Sequence, residues 1–374
     1  MRVAFLLPTL SGGGAERVAL TLIDQLLGNG VEVDLVVAQA VGELLPLVPS
    51  SATFFDLQSP RLRDALWPFA RYLRQRRPDA VQISMWPLTS VAIAAKWLSR
   101  TRPRMVVSEH VAISRDTTDL SPVSLALARR SLGATYRHAD GRVAVSRGVA
   151  TDLAAFGRLP LASIDVIYNP IAIPAKIETS AEAEGLWGSG LGPRILNVGG
   201  FRRQKNQRLL LEAFARLKAR DARLIVLGEG PLRDEIVGDI ARLGLGGRVA
   251  MPGFTRDPWP FYKSADLFVL SSDYEGFGNV IVEALAADLP VVSTDCPSGP
   301  AEILGGGKYG ALTPCGDVEA LAAAIDHALT QPPPAGMAQR AAEFSPDRAA
   351  RAYRDLLFGR TNNRDEPVAN LQSS

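Results

Sequence analysis

Two cysteines in 374 residues, Cys296 and Cys315, are too few for a disulfide framework, and neither stands at a metal-type spacing from another cysteine or a histidine. A reduced, cytoplasmic compartment without a structural zinc site is the expectation. No Asp-x-Asp pair occurs anywhere, so the short acidic motif that often holds a divalent cation is missing. No uninterrupted apolar run approaches the roughly 18 residues that span a bilayer, which limits any membrane association to peripheral contact. An excess of one charge is also lacking: 41 Lys and Arg face 39 Asp and Glu, which argues against a dedicated nucleic-acid binder. The dinucleotide fingerprint G-x-G-x-x-G fails as well. From Gly12 its last glycine position holds Arg17, and LGEGPLR at 227–233 lacks the third glycine, so a nicotinamide enzyme is a poor reading.

What is present is a globular composition, 47% hydrophobic and 21% charged, on a chain longer than one core usually supports. Two domains are therefore expected. The opening MRVAFLLPTL runs into SGGGAER rather than a small-residue cleavage pattern, and reads as a first strand. Short continuous apolar runs at 3–7, 31–38, 53–55, 80–83, 105–107, 143–145 and 166–167 alternate with helix-like segments, the rhythm of an open doubly wound α/β domain. A second cycle begins at 194, with strands at 194–198, 223–227, 249–251 and 267–270 and a helix at 206–219. Charge is uneven between the halves. Residues 1–170 carry 19 basic against 14 acidic side chains, and the remainder 22 against 25.

The most informative stretch is 271–300, SSDYEGFGNVIVEALAADLPVVSTDCPSGP. It leaves a buried-strand run, passes a glycine-bearing turn, becomes helix-compatible from 280 to 287 and returns to strand at Val291 and Val292. The loop Glu275, Gly276, Phe277, Gly278, Asn279 thus sits where a parallel strand ends and a helix begins, and backbone N–H groups around Gly278 to Val280 are expected to point into the crevice there. Such an end suits a phosphate. The same pattern also serves a plain strand, turn and helix with two solvated glutamates. Glu275 and Glu283 would lie about 12 Å apart along the axis if all eight steps were helical. Paired glycosidase carboxylates are closer than that, so these two suit opposite ends of one long ligand.

Glu275, seven intervening residues and Glu283 reproduce the Glu-x7-Glu signature of glycosyltransferase family 4, and DCPSGPAEIL at 295–304 resembles that family's downstream segment. SGGGAERVALTL at 11–22 resembles its N-terminal glycine motif, in which Gly13 and Gly14 let a ligand approach the backbone; a tight turn needing positive φ is the other reading. NVGGFRRQKNQ at 197–207 resembles the segment whose arginine and lysine hold a diphosphate. Lys205 matches the lysine, but Gly200 stands at the arginine position, with Arg202 and Arg203 beside it. His110, in VVSEH, resembles the family's histidine that touches the donor sugar, although a lone histidine is more often structural. Glu109 beside it is a weaker candidate for a general base. MPGFTRD at 251–257 occupies the nucleobase position, with Gly253 and Phe254.

The resemblance implies an α/β protein of the GT-B fold, two doubly wound Rossmann-like domains facing across a cleft. Residues 1–172 would receive the acceptor, 173–193 would be a linker, and 194–345 would hold the nucleotide sugar. The helix at 346–360 crosses back in that fold, and 361–374 is a polar tail. It further implies a retaining glycosyltransferase without cofactor or bound metal. Lys205 and the amides of Gly278 to Val280 would meet the diphosphate, Glu283 the ribose, and Glu275 with His110 the sugar. The donor would be UDP-hexose or UDP-N-acetylhexosamine, with GDP-mannose second, and the acceptor a glycan or polyprenyl-diphosphate-linked glycan. A nucleotide-sugar epimerase or a catalytically silent sugar-nucleotide binder shares the architecture. The run RLRDALWPFARYLRQRR at 61–77 places Leu62, Leu66, Phe69 and Leu73 on one helical face, with Arg71, Arg74, Arg76 and Arg77 around it; Pro68 would interrupt a long helix. A surface helix packed on the sheet is the plainer reading of this run; with Arg129, Arg130 and Arg137 it also gives the first domain a basic surface suited to peripheral contact with an anionic membrane on its cytoplasmic face.

Overall fold

A computed structural model of the chain describes residues 1–359, so the expected polar tail lies outside the described residues. The chain forms two compact units. The first comprises Met1–Val145, Ala150–Pro170 and the helix Pro346–Phe358; the second comprises Ser146–Val149 and Ile171–Ser345.

The first unit is built on β1 (Arg2–Leu7), β2 (Glu32–Val37), β3 (Thr53–Asp56), β4 (Ala80–Ser84), β5 (Arg104–Glu109), β6 (Gly141–Ala144) and β7 (Asp165–Val166). They lie in the order β3-β2-β1-β4-β5-β6-β7, every pair parallel. Val3 to Leu7 are fully buried, as a strand covered on both faces requires. The helix Gly14–Gly28 turns Val18, Ala19, Leu22, Ile23 and Leu26 onto the sheet at helical spacing. Strand order reverses between β1 and β4, so the loops leaving them part and open a crevice at the carboxyl ends.

In the second unit β8 (Arg194–Val198), β9 (Arg223–Leu227), β10 (Val249–Gly253), β11 (Leu267–Leu270), β12 (Val291–Thr294) and β13 (Ala311–Thr313) take the order β10-β9-β8-β11-β12-β13, again all parallel. Here the reversal falls between β8 and β11. These two strands pair only at Leu267 with Ile195 and Phe268 with Leu196. Beyond that point the buried Asn197 amide donates to the Val269 carbonyl at 2.8 Å, a side chain standing in for a ladder bond where the strands diverge.

Three sequence expectations need correction. The stretch 173–193 is more than a linker: Ser180 caps a helix, Ala181–Leu186, and the following Trp187 is buried against the second unit with its indole N–H on Ser264 Oγ at 2.9 Å. The run 61–77 is a 3₁₀ turn, Leu62–Ala65, followed by the helix Leu66–Arg76. Pro68 falls in that helix's first turn, where the missing N–H breaks no bond. Nor is Arg76 a solvated surface charge. It forks onto the buried Asp34 carboxylate with two bonds of 3.0 Å, and Tyr72 O–H donates to the same group at 2.8 Å.

The helix Pro346–Phe358 presents Ala349, Ala350, Tyr353 and Leu357 to the core formed by Phe5, Leu22, Ile23 and Val106. Burying the Tyr and Leu side chains contributes roughly 1.5–3 kcal/mol each.

Candidate active site

The switch point of the second unit brings together two loops separated by 70 residues of sequence. The loop after β8 ends in the 3₁₀ turn Arg203–Lys205; the loop after β11 carries Ser271 to Gly278. Lys205 Nζ donates to Glu275 Oε1 at 2.6 Å, and Ser272 Oγ donates to the same oxygen at 2.6 Å. The Glu275 side chain is only 6% exposed and that of Lys205 22%, so the pair is held largely out of water. Backbone stitches fix the loops: Ser271 Oγ donates to the Lys205 carbonyl at 2.9 Å, the Asp273 amide to the Gln204 carbonyl at 2.8 Å, and Gln204 Nε2 to the Tyr274 carbonyl at 2.8 Å. Asn206, with φ of 42°, caps the helix Gln207–Arg216 and reaches Asp273 Oδ1.

Glu275 lies four residues ahead of the helix Asn279–Ala286, outside it, so the eight-step axial spacing from Glu283 does not apply. Gly278, with φ of 100°, is that helix's N-cap. A glycine at this position brings no side-chain cap of its own, so the first-turn amides are left to other groups. Glu283, half-buried on the next turn, accepts from Tyr262 O–H at 2.7 Å. Tyr262 is itself buried, with ring contacts to Trp259 and Phe268. Phe277 packs edge-on against Phe344 at 5.3 Å. Behind it Gly299, with φ of 94°, passes so close that any Cβ would collide with the Phe277 carbonyl oxygen.

Gly200 lies beside the Glu229 carbonyl and the Arg202 guanidinium, and its own carbonyl accepts from Gln207 Nε2 at 3.2 Å. Arg202 and Arg203 are exposed at the rim, and among the described residues neither makes an ion pair. Gly253 ends β10 with φ of 99°, and a Cβ there would stand 2.9 Å from Glu229 Oε1; Phe254 follows it, half-buried. Lys205, Glu275, Gly276, Phe277, Gly278 and Gly200 therefore lie on loops at one carboxyl edge of one sheet, Gly253 ends a strand at that edge, and Asn279, Val280 and Glu283 lie in the first turns of the helix that leaves it.

His110, Gly13 and Gly14 belong to the first unit and follow its β5 and β1. His110 is buried, and Ser108 Oγ lies 3.0 Å from its Nε2. Its Nδ1 has no partner among the described residues. Burial lowers its pKa to about 4, so at neutral pH the ring is uncharged. Glu109 is no freely placed base: its carboxylate accepts from the Trp86 amide at 2.9 Å and from Tyr136 O–H. At the glycine loop the Glu16 carboxylate folds back to where a Gly13 Cβ would be, so the helix start already holds a negative group.

Ser272, Tyr262, Asn197 and Glu16 were not singled out from sequence. Only Glu16 had a readable signal, an acid three residues after an N-cap glycine.

With this geometry in place, comparison with known proteins is direct. The family model described as Glycosyl transferases group 1 matches residues 190–346, and that described as Glycosyltransferase Family 4 matches residues 12–173. The N-acetylgalactosamine-N,N'-diacetylbacillosaminyl-diphospho-undecaprenol 4-alpha-N-acetylgalactosaminyltransferase of Campylobacter jejuni is 29% identical over 314 residues, 81% of this chain and 83% of that protein. The lipopolysaccharide 1,6-galactosyltransferase of Salmonella typhimurium is 23% identical over 97% of this chain and 98% of its own. Among solved structures, Anabaena Alr3699/HepE in complex with UDP superposes with a TM-score of 0.78 at 22% identity, covering 96% of this chain and all of that one. The galactosyltransferase WaaB in its apo form gives 0.73 at 19% identity, covering 96% of this chain and 100% of that one. Two parallel sheets of seven and six strands, each reversing order at its centre, and family models covering most of both units make this chain a member of glycosyltransferase family 4 with the GT-B fold.

Proposed function

We propose that the protein transfers a hexosyl or N-acetylhexosaminyl group, with retention of configuration, from a UDP donor to a glycan or polyprenyl-diphosphate-linked glycan. The observation that carries this reading is the Lys205–Glu275 pair that joins the two loops of the switch point, the second of which runs through the glycine N-cap Gly278 into the helix Asn279–Ala286. Before donor binds, the two charges satisfy each other. A sugar diphosphate exchanges that contact for two better matched ones: its phosphates take Lys205 and the amides of Gly278 to Val280, while its sugar hydroxyls take Glu275. As the sugar–oxygen bond to the leaving diphosphate breaks, charge grows on oxygens that already face a cation and N–H dipoles. Glu283, held by Tyr262, takes the ribose hydroxyls, and Arg202 and Arg203 supply cation where the family's arginine is replaced by Gly200. Gly253 and Phe254 line the base. His110, neutral and with Nδ1 unpartnered among the described residues, has a ring nitrogen suited to a sugar hydroxyl.

Support for a UDP sugar comes from the UDP and UDP-glucose complexes of Anabaena Alr3699/HepE. Support for a lipid-linked acceptor comes from the undecaprenol-linked substrates in the names of the two Campylobacter jejuni relatives. No helix among the described residues is long and apolar enough to cross a membrane. Peripheral contact with an anionic cytoplasmic surface is supported by the helix Pro122–Tyr136. Val123 and Leu127 are 71% and 63% exposed on it, above the exposed Arg130.

Calorimetric titration with UDP, GDP, ADP and TDP tests the donor: UDP binds most tightly, and a preference for GDP overturns that part. Product analysis follows. Transfer needs acceptor, yields the donor's anomeric configuration and survives EDTA, whereas donor rearranged without acceptor would indicate an epimerase. Glu283→Ala weakens UDP binding tenfold or more. Glu275→Ala lowers kcat far more than UDP affinity, and equal losses of affinity in both would sink this division of roles.

A further inference from the structure

We propose that a cavity at the opposite, amino-terminal edge of the first unit's sheet binds a phosphate-bearing anion. The cavity has a volume of about 670 Å³ and is walled by Lys96, Trp97, Arg100, Arg102 and Arg104. Two carboxylates also border it, but both are engaged. Asp79 accepts the Arg2 amide at 2.8 Å, and Asp140 accepts the Met105 amide at 2.8 Å together with Lys96 Nζ at 3.3 Å. Arg104 Nε donates to the Leu356 carbonyl. Arg100 and Arg102 are exposed, and among the described residues their guanidinium groups have neither carboxylate nor carbonyl partners. With Lys96 paired to Asp140, the guanidinium groups of Arg100, Arg102 and Arg104 against the single charge of Asp79 leave a net positive charge suited to a phosphoryl group, with its several acceptor oxygens, better than to a single carboxylate.

The cavity exceeds what one phosphate needs and falls within the usual range for small-molecule sites. Trp97, 57% exposed and edge-on to His138 at 5.1 Å, offers an apolar wall for the remainder of the ligand. Arg104 opens β5 and Glu109 closes it, so this site lies roughly 20 Å along the strand from His110. It is separate from the donor chemistry proposed above. Its phosphoryl group has two sources, a soluble phosphorylated molecule or a phospholipid headgroup reached beside the exposed Leu98.

The test compares the full chain with the double variant Arg100→Ser/Arg102→Ser. Inorganic pyrophosphate is titrated calorimetrically into protein already saturated with UDP, which fills the donor site, and sedimentation is measured with phosphatidylglycerol and with phosphatidylcholine vesicles. Far-UV circular dichroism and UDP affinity, expected unchanged, verify that the variant is folded. A tenfold or greater loss of pyrophosphate affinity in the variant supports the site and a soluble ligand. A tenfold loss confined to phosphatidylglycerol vesicles supports the site and a headgroup. Equal binding of both probes by both proteins, or binding of neither by the unsubstituted chain, overturns it.

Discussion

Lys205 and Glu275 illustrate what a single residue can and cannot announce. Glu275 is nearly buried, and Lys205 is its cation at 2.6 Å. Removing one member strands the other's charge away from water, whereas removing both leaves a neutral site. Lys205→Met should therefore lower unfolding free energy by about 2 kcal/mol, a value below the fully buried case because the lysine is partly solvated. Lys205→Met/Glu275→Gln should recover most of that stability in urea titrations while remaining inactive. Recovery of neither, or of both, would contradict the assigned roles. The types and spacing of Glu275, Glu283 and Lys205 were legible in the sequence. Their partners were not. Ser272 and Tyr262 acquire meaning only once β8 and β11 lie side by side, and no periodicity encodes that adjacency.

Glu109 carries a second residue-scale consequence. Burial pushes its carboxyl up to about 8 from 4.5, Asp116 and Asp152 add to the rise, and the bonds from Tyr136 and the Trp86 amide oppose it. A folded pKa above the unfolded one means the native state keeps a proton that the unfolded chain releases, so this contribution is full below about pH 4.5 and declines as pH climbs to about 8. His110 runs the other way, its stability contribution falling as pH drops from 6.5 to about 4. Between pH 6.5 and 8 Glu109 therefore sets the trend. Unfolding free energy should fall by about 2 kcal/mol across that window and stay nearly flat in Glu109→Gln, as Tm against pH will show.

Among the elements, the helix Asn279–Ala286 is positioned from behind by a glycine. Gly299 holds φ of 94° and touches the Phe277 carbonyl, so an added methyl meets both a forbidden conformation and a backbone atom. Gly299→Ala should displace the Phe277–Gly278 loop and weaken UDP binding at least tenfold while far-UV circular dichroism stays unchanged. An unaltered affinity would show that the loop is not held from this side. Most elements were readable because parallel strands buried on both faces appear as short apolar runs, and the helix Gly14–Gly28 repeats its apolar residues at helical spacing. The six-residue helix Ala181–Leu186 was not. It is too short for a period, and what fixes it is Trp187 finding Ser264, a contact far away in sequence. The break before Leu66 is not encoded locally either, since a proline in a first turn and one in mid-helix look alike in a string of letters.

Across the whole molecule, the last described helix belongs to the first unit's core. Tyr353 is 1% exposed among Phe5, Leu22 and Val106. Tyr353→Ala should destabilise the protein by about 3 kcal/mol, as large-to-small core changes do. Hydrogen exchange should localise the loss to β1, β4 and β5 while β8 and β11 keep their protection, and a uniform loss would contradict the assignment of this helix to the first unit.

That seating bears on synthesis. Domains usually fold in the order in which they leave the ribosome, yet here residues 1–170 emerge with one side of their core uncovered and must wait for the segment from Pro346 before it is sealed. The second half can assemble while the first still lacks a wall. The unit made earlier is thus finished after the one made later, and nascent chains halted before Pro346 should expose apolar surface that chaperones can bind.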